Sequence, residues 1–78
     1  MRLIMREKEV YIMRPNYQPT QTFLNILAKY PNVYQFCMHY SLNPITIDNW
    51  LGGISKLTTA NRSYIALRMR IRENQVAV

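Results

Sequence analysis

Punctuation constrains this chain more than any other feature. Prolines at 15, 19, 31 and 44 and the Gly52-Gly53 pair cut its 78 residues into short pieces. No apolar run approaches the roughly 20 residues that a membrane-spanning helix needs. Each break carries a helix start or stop signal. Thr20 can cap a helix in which Phe23, Leu24, Leu27 and Ala28 recur at helical spacing through Tyr30, and Pro31 stops it. Asn32 is a second cap, after which Val33, Phe36, Cys37 and Tyr40 fall on one face. Ser41-Leu42-Asn43 interrupts. Asn43-Pro44 combines an N-cap with proline at the first helical position, and Gly52-Gly53 closes a helix Pro44–Leu51 that buries Ile47, Trp50 and Leu51. Thr58 or Thr59 can cap a last helix, reaching about Met69, in which Tyr64, Leu67 and Ile71 share a face. From Leu67 to Arg72 the pattern alternates at period two, so the chain beyond Met69 is open to strand as well. Residues 1–14 form two apolar quartets around Arg-Glu-Lys-Glu and fit strand, hairpin or helix alike.

Charge separates the ends from the middle. Ten Lys and Arg against four Asp and Glu give a formal charge of +6. Between Pro15 and Ser55 the only charges are Lys29 and Asp48, so the middle is the expected core and the ends carry the field. The N-terminal cluster mixes signs, and its plainer reading is a solvated face. The C-terminal cluster (Lys56, Arg62, Arg68, Arg70, Arg72) is nearly all positive, and an anion would relieve its self-repulsion. A polyanion is therefore the expected partner. The chain is too short for more than one domain or a deep catalytic cleft, since such a domain buries only about 60% of its unfolded surface. One cysteine excludes an internal disulfide framework and points to a reducing compartment, and the charged start is unlike a signal peptide.

Two short helices joined by a three-residue break suggest a helix-turn-helix. The segment Val33–Gly53 (VYQFCMHYSLNPITIDNWLGG) resembles the helix-turn-helix of the phage lambda repressor and Cro class. In that resemblance Cys37 stands at the position kept small because two helices cross there. Tyr40-Ser41-Leu42-Asn43 stands for the turn, with Leu42 inward, Ile47 and Trp50 for the buried positions of the recognition helix, and Leu51-Gly52-Gly53 for its exit. Ser41 replaces the usual glycine; a non-glycine at positive φ is strained, so a looser turn is expected. Val33 replaces a usual polar residue, which removes one familiar phosphate contact. The resemblance covers roughly residues 20–70 and implies a mainly α, lambda-repressor-like bundle of four to five short helices. The domain runs over 15–72, with the motif at 33–53, an extension at 1–14 and a tail at 73–78, both extensions open to β structure.

A recognition helix of this kind lies in the major groove with its N-terminal residues at the base edges. With Ile47, Trp50 and Leu51 inward, the residues expected to reach bases are Asn43, Pro44, Ile45, Thr46 and Asn49. Asn49 can pair with adenine N6 and N7, and Ile45 and Pro44 can pack on thymine methyls. No arginine on this helix reads guanine, so A·T-leaning half-sites are expected. Asp48 belongs with the helix dipole or limits non-specific affinity. Phosphate contacts are expected from Tyr34, Lys56, Arg62 and Arg14. About five neutralised phosphates per protomer would give a log–log salt slope near −4 to −5.

A double-stranded DNA operator bound by a homodimer follows, with half-sites about 34 Å apart. Leu3, Ile4, Val10, Tyr11 and Ile12 at one end, and Met69, Ile71, Val76 and Val78 at the other, offer apolar surface for a two-fold contact, or simply cover the core. No catalytic group, cofactor, metal, membrane or small-molecule substrate is expected. Cys37 and His39 are too few for zinc, and the carboxylates are unpaired. The function expected is that of a cytoplasmic, Cro-like repressor of a phage or prophage in a bacterial host, acting by promoter occlusion. The competing reading is a protein–protein modulator, an antirepressor, that uses the same bundle on a partner protein. An RNA-binding module fits less well, because the six tyrosines do not form a sheet platform.

Overall fold

The computed structural model describes residues 16–78. The readings made for residues 1–14, including Arg14 and the apolar residues there, lie outside the described residues. Five helices follow in order: α1 (Gln21–Leu27), α2 (Val33–Tyr40), α3 (Pro44–Leu51), α4 (Thr59–Met69) and α5 (Glu73–Val76). The fold is mainly α, and none of its described helices is long and apolar enough to cross a membrane.

The first four helices start where a short polar side chain satisfies a free backbone N–H. Thr20 accepts from Phe23 at 3.1 Å, Asn32 from Gln35 at 2.9 Å, Asn43 from Ile45 at 2.9 Å and Thr58 from Asn61 at 3.0 Å. Each such cap contributes about 1 kcal/mol. α1 ends at Leu27, short of the Tyr30 expected. Tight turns take over as Lys29 N donates to Ile26 O and Tyr30 N to Leu27 O, both at 3.1 Å. Pro31 disfavours helical geometry at the residue before it. Only Phe23 of α1 is fully buried; Ile26 and Leu27 pack at the edge of the core, while Leu24 and Ala28 face outward.

α4 reaches Met69 as expected, but with a different face inward. Ile65, Ala66 and Met69 are buried, whereas Tyr64 and Leu67 are exposed and Ile71 is half-buried. Arg70 then takes the left-handed conformation (φ 59°), and Ile71 N reaches back to Ala66 O at 3.1 Å. The alternating stretch 67–72 is therefore a helix end followed by a reversal, and not a strand.

The last six residues are not a tail. Arg72 N donates to Gln75 Oε1 at 2.9 Å and opens α5, which packs on α4 and α1. Val76 and Ala77 are wholly buried. An antiparallel bridge joins Ala77 to Pro19, flanked by Gln18 N to Val78 O (2.8 Å), Val78 N to Gln18 O (3.0 Å) and Thr20 N to Val76 O (3.1 Å). The Thr20 hydroxyl also donates to the Gln75 carbonyl. This short clasp is the only β pairing among the described residues.

The core gathers Phe23, Phe36, Cys37, Leu42, Ile47, Trp50, Leu57, Ile65, Ala66, Met69, Val76 and Ala77. Phe23 meets Phe36 edge-on (5.5 Å between centroids) and Trp50 at a tilt (5.4 Å), geometries that favour aromatic pairs. The indole N–H of Trp50 donates to the Tyr17 carbonyl at 3.0 Å, so its one polar group is satisfied. Burial, and secondarily the charge of Asp48, pushes the Cys37 thiol up from its ordinary value. It is a packed side chain that stays protonated at neutral pH.

Candidate nucleic-acid interface

The segment 33–53 forms helix, three-residue break and helix. Ser41 holds φ 57° and ψ 46°, so serine takes the left-handed turn and the turn is not loosened. Leu42 N then donates to Cys37 O at 2.8 Å, and the Leu42 side chain turns into the core. Asn43 caps α3 directly afterwards, and Ile47 and Trp50 anchor that helix in the core. Leu51 is only half-buried.

Anchoring one face of α3 presents the other, but the five residues expected at base edges divide between two depressions. Pro44, Ile45 and Asn49 lie on a groove with Asp48 from α3 and with Asn32, Val33 and Tyr34 from the start of α2. Ile45 is 70% exposed and Tyr34 57%. Asn43 and Thr46 lie on the opposite flank, in a cleft completed by Leu42, Ile47, Asn61, Tyr64 and Ile65. That cleft holds about 200 Å³, below the ~300–1,000 Å³ usual for small-molecule sites. The Asn43 Oδ1 atom is already engaged as the helix cap, so its primary role is structural.

The expected phosphate contacts fare differently. Tyr34 stands on the groove that Ile45 also lines. Lys56 is exposed in the connection after α3, near Tyr17 and Trp50. Arg62 is held inside the fold. Its Nε donates to Ala77 O at 2.8 Å, its Nη1 lies 3.4 Å from Glu73 Oε1, and its guanidinium carbon sits 4.5 Å from the centre of the Tyr17 ring. With 15% of its side chain exposed, Arg62 is a clamp and does not fit a phosphate contact. No local spacing announces this, because its partners come from opposite ends of the described chain.

Two contacts escaped the sequence reading. Ser63 donates to Glu73 Oε2 at 2.7 Å and extends the clamp. Arg68 Nε donates to Tyr40 O at 3.1 Å, at the last carbonyls of α2 where a cation complements the helix dipole. Arg70 and Arg72 remain exposed near the end of α4, as does Lys29 after α1. Of the described apolar residues considered for a two-fold contact, Met69 and Val76 belong to the molecule's own core, leaving half-buried Ile71 and exposed Val78. His39 is exposed and meets Tyr40 edge-on, centroids 4.7 Å apart. Among the described residues, no three His, Cys, Asp or Glu side chains gather as metal ligands.

Comparison of this chain with protein-family models, curated proteins and solved structures finds no match.

Proposed function

We propose that this protein is a sequence-specific double-stranded DNA-binding transcription regulator of the lambda repressor and Cro type. It works in a bacterial cytoplasm as a homodimer that represses by covering a promoter. One observation carries the reading: α2, the Ser41–Asn43 turn and α3 are braced by Leu42, Ile47 and Trp50, so that Pro44, Ile45 and Asn49 sit together on an accessible face. A helix secured along one side and open at its N-terminal half has the form needed to enter a major groove. Affinity would come from the +6 charge, through Lys56 and the exposed Arg70 and Arg72.

The test is a salt titration on random-sequence duplex DNA, followed by selection of bound duplexes from a random pool. Each neutralised phosphate contributes about −0.9 to the slope of log K against log salt. With Arg62 withdrawn, a slope near −3 to −4 per protomer is expected, about one unit shallower than the full cation set would give. A flat response, or no enriched sequence, rejects the proposal.

The antirepressor reading has one observation in its favour: Asp48 is the charged side chain on the exposed groove of α3, and its sign is wrong for phosphate. Enrichment of a DNA sequence that depends on Asn49 would decide against it.

A further inference from the structure

The groove between the starts of α2 and α3 has an unusual composition for a surface that meets DNA. Val33, Tyr34, Pro44 and Ile45 give it apolar walls, Asn49 gives it an amide, and its charged lining residue is Asp48. A phosphate does not belong there, since a carboxylate repels it. The acceptor edge of guanine calls for an arginine or lysine, and neither is on the groove. What the lining does match is a methyl group beside an amino donor. Among the base pairs, T·A presents both in the major groove, the C5-methyl of thymine and the N6 amino group of adenine. G·C offers an amino group without a methyl.

Resting on the DNA-binding reading above, we propose that this groove is a thymine-methyl slot and that Tyr34 is one of its walls. Tyr34 is then a specificity-determining residue that meets the base edge through its ring, instead of a phosphate contact through its hydroxyl. Ile45 forms the facing wall. Asn49 accepts from the one N6–H of adenine that pairing with thymine leaves free and donates to its N7, and Asp48 stands beside it on the groove. Asp48 thereby gains a positive role: it disfavours phosphate in the slot and orients the helix toward an amine-bearing edge.

The experiment uses the intact protein and duplexes selected with it from a random pool. The selected pool is copied with dTTP or with dUTP, which removes every thymine methyl and leaves the hydrogen-bonding groups in place. One buried methyl is worth ~0.8 kcal/mol, and 1.4 kcal/mol is tenfold in affinity, so about a fourfold loss is expected per methyl contacted. Ile45→Ala and Tyr34→Ala should bind the thymine duplexes more weakly and discriminate the two versions by less than about twofold. Both side chains are exposed, so the variants should keep native helical circular dichroism. Tyr34→Phe should keep both the affinity and the discrimination of the unaltered protein, because the ring does the reading. Equal binding of both versions by the unaltered protein overturns the slot while leaving DNA binding intact. A Tyr34→Phe loss that is the same on both versions returns Tyr34 to the phosphates and also overturns it. Failure to select any duplex is a different result and removes the DNA reading on which the slot stands.

Discussion

Arg62 ties three separated parts of the chain together: α4, the Ala77 carbonyl beyond α5, and the Tyr17 ring ahead of α1. Ala77 is wholly buried, so its carbonyl would lose its charged partner if the guanidinium were removed. A hydrogen bond to a charged group contributes about 1.5–3 kcal/mol, and the exposed side of the Glu73 pair adds little. Arg62→Ala is therefore expected to destabilise by about 2 kcal/mol, roughly 10 °C in melting temperature for a domain of this size. Thermal unfolding followed by circular dichroism measures it. Arg62→Lys should recover only part of the loss, because an ammonium lacks the planar fork that meets a carbonyl and a carboxylate together. An unchanged melting temperature would show that the clamp is dispensable and would return Arg62 to the surface cations. In the sequence Arg62 is one more basic residue in a basic stretch. Its partners lie 11 to 45 positions away, beyond any local pattern.

Helix starts were legible because capping is chemistry within three residues: Thr20, Asn32, Asn43 and Thr58 each stand where a free N–H needs an acceptor. Which way a helix faces was less so. The apolar stripe of α4 could be drawn through Tyr64 and Leu67 or through Ile65, Ala66 and Met69, and the second is the one turned into the core, in a helix that packs on α5. α5 was hidden for another reason: four residues are too few to show a period. The helix ends hold local strain, with Ser41 at φ 57° and Arg70 at φ 59°. A left-handed residue other than glycine costs about 1–2 kcal/mol, while glycine loses about 0.4–1 kcal/mol more chain entropy on folding. Ser41→Gly is expected to stabilise by up to about 1 kcal/mol, read from the denaturant midpoint at constant slope. Destabilisation would mean that the serine hydroxyl supports the turn.

At the scale of the whole molecule, the site and the clasp depend on each other. α3 is braced by Trp50, Trp50 by Phe23 and the Tyr17 carbonyl, and the segment before α1 by residues 76–78. Ending the chain after Arg72 removes Val76 and Ala77 from the core along with three backbone hydrogen bonds and the Arg62 anchor. The lost burial and bonding amount to about 5 kcal/mol, comparable to the entire stability of a small domain. The truncated chain is expected to show collapsed amide dispersion in a proton–nitrogen spectrum, and a native spectrum would refute this. The candidate interface was visible in the sequence as Asn43–Asn49, but its division between two depressions was not, because the walls come from α2 and α4. The clasp also governs when the molecule can become functional. Residues 76–78 are the last of the described chain to leave a ribosome, and the partners they close upon have emerged long before. A nascent chain that carries all of α3 without residues 76–78 is therefore still unfinished as a structure. Folding waits for synthesis to pass Val76 and Ala77, so a fragment released before them lacks part of the core.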